Sequence, residues 1–166
     1  MNIIGVVGWK NSGKTTFIVK LVKLLTSRDL SVSTVKHAHH EFDIDRPGED
    51  SYRHRESGAR EMLVSSGRRW ALMHELRGAE EPPLDELLGH LAPVDLVIVE
   101  GFKHYTYPKI EIRREQHTAP ALAPGDPDIV ALAADYTPPD TTLPVLPPGE
   151  PRIAAGFVAS HFGFSL

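Results

Sequence analysis

Near the N-terminus the stretch "GWKNSGKT", Gly8 to Thr15, places glycines, a lysine and a hydroxyl at fixed spacing. It matches G-x-x-x-x-G-K-[ST] at every defined position, and the chemistry it suits is the cradling of a polyphosphate. Gly8 and Gly13 let the backbone curl tightly, so that the N–H groups of Lys10, Asn11, Ser12 and Gly13 turn inward on an anion. A helix starting beside Gly13 adds unpaired donors and the positive end of its dipole, typically about 0.3–1 kcal/mol. Lys14 reaches the β- and γ-phosphates, the Thr15 hydroxyl ligates Mg²⁺, and Thr16 is spaced to bond the α-phosphate. Lys10 has two readings: a local contact with phosphate or substrate, or a reach across a dimer interface to a partner's nucleotide. Trp9 occupies the slot that the second role uses, which favours the first.

A metal ion held by Thr15 needs a carboxylate, and "VDLVIVEG" offers Asp95 and Glu100. Ligands of open α/β sheets bind beyond the carboxyl ends of the strands. Asp95 lies roughly 16 Å back along the strand at about 3.3 Å per residue. Glu100 is therefore the carboxylate expected near Mg²⁺, directly or through water, with Asp95 a cap at the far end. Gly101 permits a sharp exit beside the γ-phosphate.

The stretch "HAHHEFDIDRPGED", residues 37–50, interleaves histidines and carboxylates. One reading is a transition-metal site using His37 with His39, or His40 with downstream carboxylates. A second is a solvated polar loop. The third, which the mixture of cations and carboxylates favours, is a switch-like loop. There Asp43, Asp45 or Asp50 touches Mg²⁺ through water, and Lys36, His37 and Arg53 neutralise phosphate. Further on, "EGFKHYTYPKIEIRR" adds Lys103 and Lys109 to the same edge. Tyr105 and Tyr107 either stack on a flat ring or pack the loop. Asp135, ending "IVALAAD", either accepts two guanine N–H bonds or braces the following turn.

These residues must be positioned by an α/β fold, since short apolar runs alternate with helical patterns. Strands are expected at 2–8, 32–38, 95–101 and 128–135, with "KIEIR" a half-exposed strand and "EMLVSS" and "WALMHEL" a pair joined by "GRR". Helices are expected at 14–27, at 48–57 stopped by Gly58, from "PPLDELLGHL", and at about 151–162. The proline-rich stretches 118–127 and 138–151 read as loops. The expected architecture is a P-loop NTPase fold: one domain over residues 1–166, with a mostly parallel twisted sheet and helices on both faces.

With 166 residues the chain can bury a core without cross-links. Its net charge of −4 argues against a broad nucleic-acid or anionic-membrane surface. The absence of cysteine excludes disulfides, thiolate zinc, iron–sulfur clusters and a cysteine nucleophile. No secretory leader or spanning segment is legible, so a cytoplasmic protein is expected.

The segments "VVGWKNSGKTT", "TVKHAHHEFDIDRPGEDSYRHRESGA" and "DLVIVEGFKHYTYPKIEIRR", in this order and spacing, resemble the molybdopterin-guanine dinucleotide biosynthesis protein B (MobB) family. The likeness runs from about residue 2 to 135. Glu49 stands where that family usually carries lysine, so no cationic role carries over there. The resemblance implies a homodimeric, Mg²⁺-dependent and weakly hydrolytic GTP-binding adapter. It would assist the molybdenum cofactor guanylyltransferase (MobA-like) that attaches GMP to molybdopterin, and molybdopterin itself becomes a candidate ligand. GTP preference follows from the resemblance, because the N-K-x-D sequence of many GTPases is absent. No water-positioning glutamine or built-in arginine finger is visible, so intrinsic turnover is expected to be slow. Two rivals are a nickel-insertion GTPase, prompted by "HAHH" but lacking cysteine ligands, and a small-molecule kinase, for which no arginine-rich lid is seen.

Overall fold

The computed structural model describes residues 1–38, 42–139 and 141–166. In chain order the elements are β1 (Asn2–Val7), α1 (Lys14–Thr26), β2 (Val32–Lys36), α2 (Asp50–Glu56), β3 (Glu61–Ser65) and β4 (Trp70–His74). There follow α3 (Leu84–Gly89), β5 (Leu96–Glu100), β6 (Lys109–Arg113), β7 (Ile129–Ala134), β8 (Val145–Leu146) and α4 (Pro151–Phe162). They form two compact units: residues 1–37 with 88–166, and residues 38–87.

The larger unit is a six-stranded sheet in the order β2-β5-β1-β6-β7-β8. Every neighbouring pair in it is parallel. Parallel strands are covered on both faces, which is why these runs read as almost continuously apolar. Alternate residues Ile4, Val6, Leu96, Ile98, Ile110 and Ile112 share one core cluster with Phe17, Ile18, Leu21 and Leu25 of α1. Fully burying one such side chain contributes about 1.5–3 kcal/mol. Toward the β7 side the cluster turns small: Ala131 and Ala133 meet Ala154, Ala155 and Val158 of α4. The exposed positions Thr16, Lys20 and Lys23 form the polar stripe expected of α1.

On the opposite face the sequence reading needs two corrections. The strand "KIEIR" is not half exposed: Lys109 and Glu111 are each only 1% accessible. Its alternation is real, but residues 114–128 fold over the polar side. Glu111 accepts hydrogen bonds from the backbone N–H groups of Leu122 and Ala123, both at 2.9 Å. Lys109 donates to Asp126 at 2.8 Å and lies 3.6 Å from Asp128, so its charge is balanced inside the fold rather than added to the ligand edge. The second correction is β8, which forms between Pro144 and Pro147 in a stretch read as loop. It pairs only with β7 and sits at the sheet edge, where proline is tolerated.

In the smaller unit β3 and β4 pair as an antiparallel hairpin closed through Arg69 and Ser66. Its surface leaves Leu63, Val64, Trp70 and Leu72 exposed. The organising side chain is Arg55 on α2, which is buried. It donates to Asp45 at 2.6 and 3.2 Å, to Glu75 at 2.6 Å and to Asp43 at 2.9 Å. Asp43 and Asp45 of the 37–50 stretch are thus drawn onto a guanidinium of their own unit. Among the described residues no helix is long and apolar enough to cross a membrane.

Three aspartates are held below the usual carboxylate range: Asp45 by hydrogen bonds from Arg55, Asp95 by those from Ser31, and Asp135 by the Glu115 amide. A carboxylate whose pKa is depressed on folding adds stability that is complete above its unfolded pKa, about 4. That stability is lost as pH falls through the folded value. The melting temperature followed by circular dichroism is therefore expected to be flat from about pH 7 to 5 and to drop below about pH 4. An equal melting temperature at pH 7 and pH 3 would contradict these assignments.

Candidate functional site

Strand β1 lies between β5 and β6, so the chain leaves β5 on one side of it and returns as β6 on the other. The order reverses at β1, and a crevice opens beyond its carboxyl end. The Gly8–Gly13 loop sits there. Gly8 has φ 147°, Asn11 φ 62° and Gly13 φ 95°, a run of left-handed backbone that curls the loop. At Gly13 the φ of 95° is one that side chains rarely adopt, and a Cβ there would also lie 2.7 Å from the Arg114 guanidinium. Lys14 opens α1, whose first-turn N–H groups have no intrahelical acceptor.

The Lys14 ammonium arches back over the loop and donates to the carbonyls of Gly8 at 3.0 Å and Trp9 at 2.8 Å. Burial lowers its pKa, the nearby Glu100 opposes that, and Lys103 and Lys36 lower it further. Lys36 and Lys103 therefore share one field with Lys14, at the edge where the sequence places both. The Ser12 amide, expected to face an anion, donates instead to the Trp9 carbonyl at 3.2 Å; the curled loop, the first-turn amides of α1 and the crowded cations still suit a polyphosphate.

The two residues expected to share a divalent ion also meet. The Thr15 hydroxyl donates to Glu100 Oε1 at 3.0 Å and Oε2 at 3.2 Å. Two hard oxygens at the end of the loop suit Mg²⁺. Glu100 is held in place by the sheet: it pairs in register with Lys36 of β2 and Val6 of β1, and its carbonyl accepts from the His37 amide at 2.9 Å. At the next residue the chain turns sharply. Gly101 has φ 95°, and a Cβ there would come 2.9 Å from the Cβ of His37. The His37 ring packs against Phe102, 4.7 Å between centroids.

Arg114 is the residue that sequence reasoning left without a role. Its Nε donates to the Ser12 carbonyl at 3.0 Å and its Nη1 to Asp135 at 3.3 Å. The other Asp135 oxygen accepts the Glu115 amide at 3.0 Å, so its carboxylate caps the chain leaving β6 and not the turn that follows it. The signal was present: Arg114 directly follows β6, so it emerges at the same edge as Glu100. Ser12 itself is buried, and among the described residues its hydroxyl has no hydrogen-bond partner.

The remaining expected residues are dispersed. Lys10, Asn11 and Thr16 are exposed around the loop. Asp50 and Arg53 form a solvent-exposed ion pair at 3.8 Å on α2 of the smaller unit. Asp45 is in that unit too, with both carboxylate oxygens on Arg55. His39 and His40, named in the transition-metal reading, lie outside the described residues. Among the described residues no group of three histidines and carboxylates could hold a metal ion. Tyr107 packs the loop rather than offering a stacking face. It is buried, its hydroxyl donates toward the carbonyls of Phe102 at 2.9 Å and Gly101 at 3.2 Å, and burial pushes its pKa up.

Comparison with known proteins agrees with this geometry. The family model described as molybdopterin guanine dinucleotide synthesis protein B matches residues 3–135. The molybdopterin-guanine dinucleotide biosynthesis adapter protein of Escherichia coli is 38% identical over 137 residues, which cover 80% of this chain and 78% of that protein. Its counterpart in Haemophilus influenzae is 37% identical over 140 residues, covering 81% and 75%. Among solved structures, a MobB protein homolog from Bacillus stearothermophilus superposes with a TM-score of 0.73 at 25% identity, over 98% of this chain and 99% of that one. Bacillus subtilis MobB gives a TM-score of 0.73 at 27% identity, over 96% of this chain and 97% of that one. The fold is thus the α/β P-loop NTPase fold, and the chain belongs to the MobB family of molybdopterin guanine dinucleotide synthesis proteins.

Proposed function

We propose that the chain binds GTP with Mg²⁺ on the Gly8–Thr16 loop and acts as an adapter for a molybdenum cofactor guanylyltransferase. The observation that carries this reading is the Thr15–Glu100 contact at 3.0 Å beside the Lys14 arch. A hydroxyl and a carboxylate, brought together from 85 residues apart in sequence, are the pair that a nucleotide-bound Mg²⁺ needs. Both Asp45 oxygens are taken by Arg55, so we assign the ion to Thr15 and Glu100. Lys14, Lys36 and Lys103 neutralise the phosphates, and Mg²⁺ supplies charge at the β- and γ-oxygens. The guanine preference is supported by the guanine dinucleotide in the relatives' names.

Hydrolysis in this reading is slow, since no glutamine or arginine of the chain is assigned to the attacking water. The adapter acts as a homodimer, a state favoured by the exposed Leu63, Val64, Trp70 and Leu72 on the β3–β4 hairpin. The test is GTP titration by calorimetry with Mg²⁺ and with EDTA. Wild type should bind more tightly with Mg²⁺, roughly tenfold, as expected for one charge-assisted metal contact. Glu100→Gln should bind equally in both conditions. A Mg²⁺ enhancement that survives in Glu100→Gln would remove Glu100 from the metal shell.

A further inference from the structure

Trp9 directly follows the first glycine of the phosphate loop, and its indole is held from two directions. Its Nε1 donates to the Pro120 carbonyl at 2.8 Å. Pro120 belongs to the segment that Glu111 fastens to the sheet at Leu122 and Ala123. Over the ring lies the Lys103 ammonium, 4.6 Å from the ring centroid. A cation this close to an aromatic face is attracted by it, and tryptophan is the ring that attracts best. The ring is 38% accessible and Lys103 is half-buried, so both border the open side of the loop.

The backbone takes a constrained path to bring Lys103 there. Glu100 ends β5, and the next two residues are both left-handed, Gly101 at φ 95° and Phe102 at φ 49°. Glycine adopts that conformation freely, whereas a residue with a Cβ does so against a steric penalty. The Tyr107 hydroxyl holds the turn by donating to the Phe102 carbonyl at 2.9 Å and the Gly101 carbonyl at 3.2 Å. The buried Phe102 ring packs on His37. Backbone held in a sparsely populated region, with its surroundings fixing it, is commonest where a site needs it. Among the described residues Lys103 has no hydrogen bond and no ion pair. Its charge is instead felt by Lys14, whose pKa it lowers. A cation seated on a ring, with no carboxylate to neutralise it, keeps its charge for an arriving anion.

Resting on the proposed nucleotide function, we propose that Trp9 is a positioning residue. Its indole face holds the Lys103 ammonium beside the phosphate loop, where that ammonium strengthens the binding of the triphosphate.

The test measures GTP·Mg²⁺ affinity by calorimetry for wild type, Trp9→Leu, Trp9→Phe, Lys103→Ala and the Trp9→Leu/Lys103→Ala double variant. Circular dichroism checks each fold. Trp9→Leu should weaken binding by roughly threefold to tenfold, and Trp9→Phe, which keeps a ring face, should weaken it less. In the Lys103→Ala background Trp9→Leu should weaken it no further, since the two side chains act as one. Unchanged affinity in Trp9→Leu, an equal loss with and without Lys103, or an equal loss in Trp9→Leu and Trp9→Phe overturns the inference. The pair is also read without nucleotide. The chain has two tryptophans, so in a Trp70→Phe background the indole emission reports Trp9 alone. Lys103→Ala should shift that emission, and an unshifted emission overturns the pairing. A shifted emission in a protein that binds no triphosphate overturns the nucleotide reading instead.

Discussion

Replacing Lys14 by alanine is expected to weaken GTP binding by roughly a hundredfold or more while leaving the fold intact. The side chain emerges from the first residue of α1 and is not part of the hydrophobic core cluster, so the fold should survive its removal. It arches over the loop onto the Gly8 and Trp9 carbonyls, in a field that already contains Lys36 and Lys103. Burial and like charge hold its pKa down, so an incoming phosphate relieves it, and that relief is binding energy. Charge-assisted hydrogen bonds contribute about 1.5–3 kcal/mol each. Removing two such bonds to phosphate at once gives a hundredfold or more at about 1.4 kcal/mol per decade. Calorimetry with Mg²⁺ reads the effect, and circular dichroism checks the fold. GTP affinity equal to wild type would mean that the loop does not hold the triphosphate.

The second large effect is on stability. Glu111 is 1% accessible and its two oxygens fasten the amides of Leu122 and Ala123 to the centre of the sheet. Glu111→Ala leaves both part-buried N–H groups without their acceptor and opens a void at the sheet. The loss is about 3 kcal/mol, against a total of about 5–15 kcal/mol for a typical domain. For a chain of this length the melting temperature should fall by roughly 6–12 °C. Glu111→Gln should recover little, because its amide nitrogen would face one of the backbone donors. A melting temperature within a degree of wild type in both variants would show that the 114–128 segment is not anchored through Glu111.

Much of the fold was legible because the signals were local. Strands β1, β5 and β7 are buried on both sides and read as apolar runs, and α4 spans 151–162 as its pattern required. That Thr15 and Glu100 meet at the carboxyl end of the sheet followed from spacing plus the rule that strands deliver ligands at their carboxyl ends. What sequence could not supply was long-range cover. "KIEIR" alternates as a surface strand does, and only the return of residues 114–128 turns Glu111 and Lys109 inward. β8 failed as a reading because two residues between prolines carry no periodicity. Asp43 and Asp45 in the acidic stretch read as available carboxylates. Arg55 sits 10 residues beyond Asp45 and 20 before Glu75 in sequence, too diffuse a pattern to show that it collects them. Arg114 was overlooked because a strand-end arginine has many uses, and its own depends on where Ser12 and Asp135 converge.

That convergence has a mechanical meaning. Arg114 grips the underside of the phosphate loop with one nitrogen and the tip of β7 with another. One guanidinium therefore braces the Ser12 peptide against the residue that follows β7, so the curl of the loop and the end of that strand depend on the same side chain.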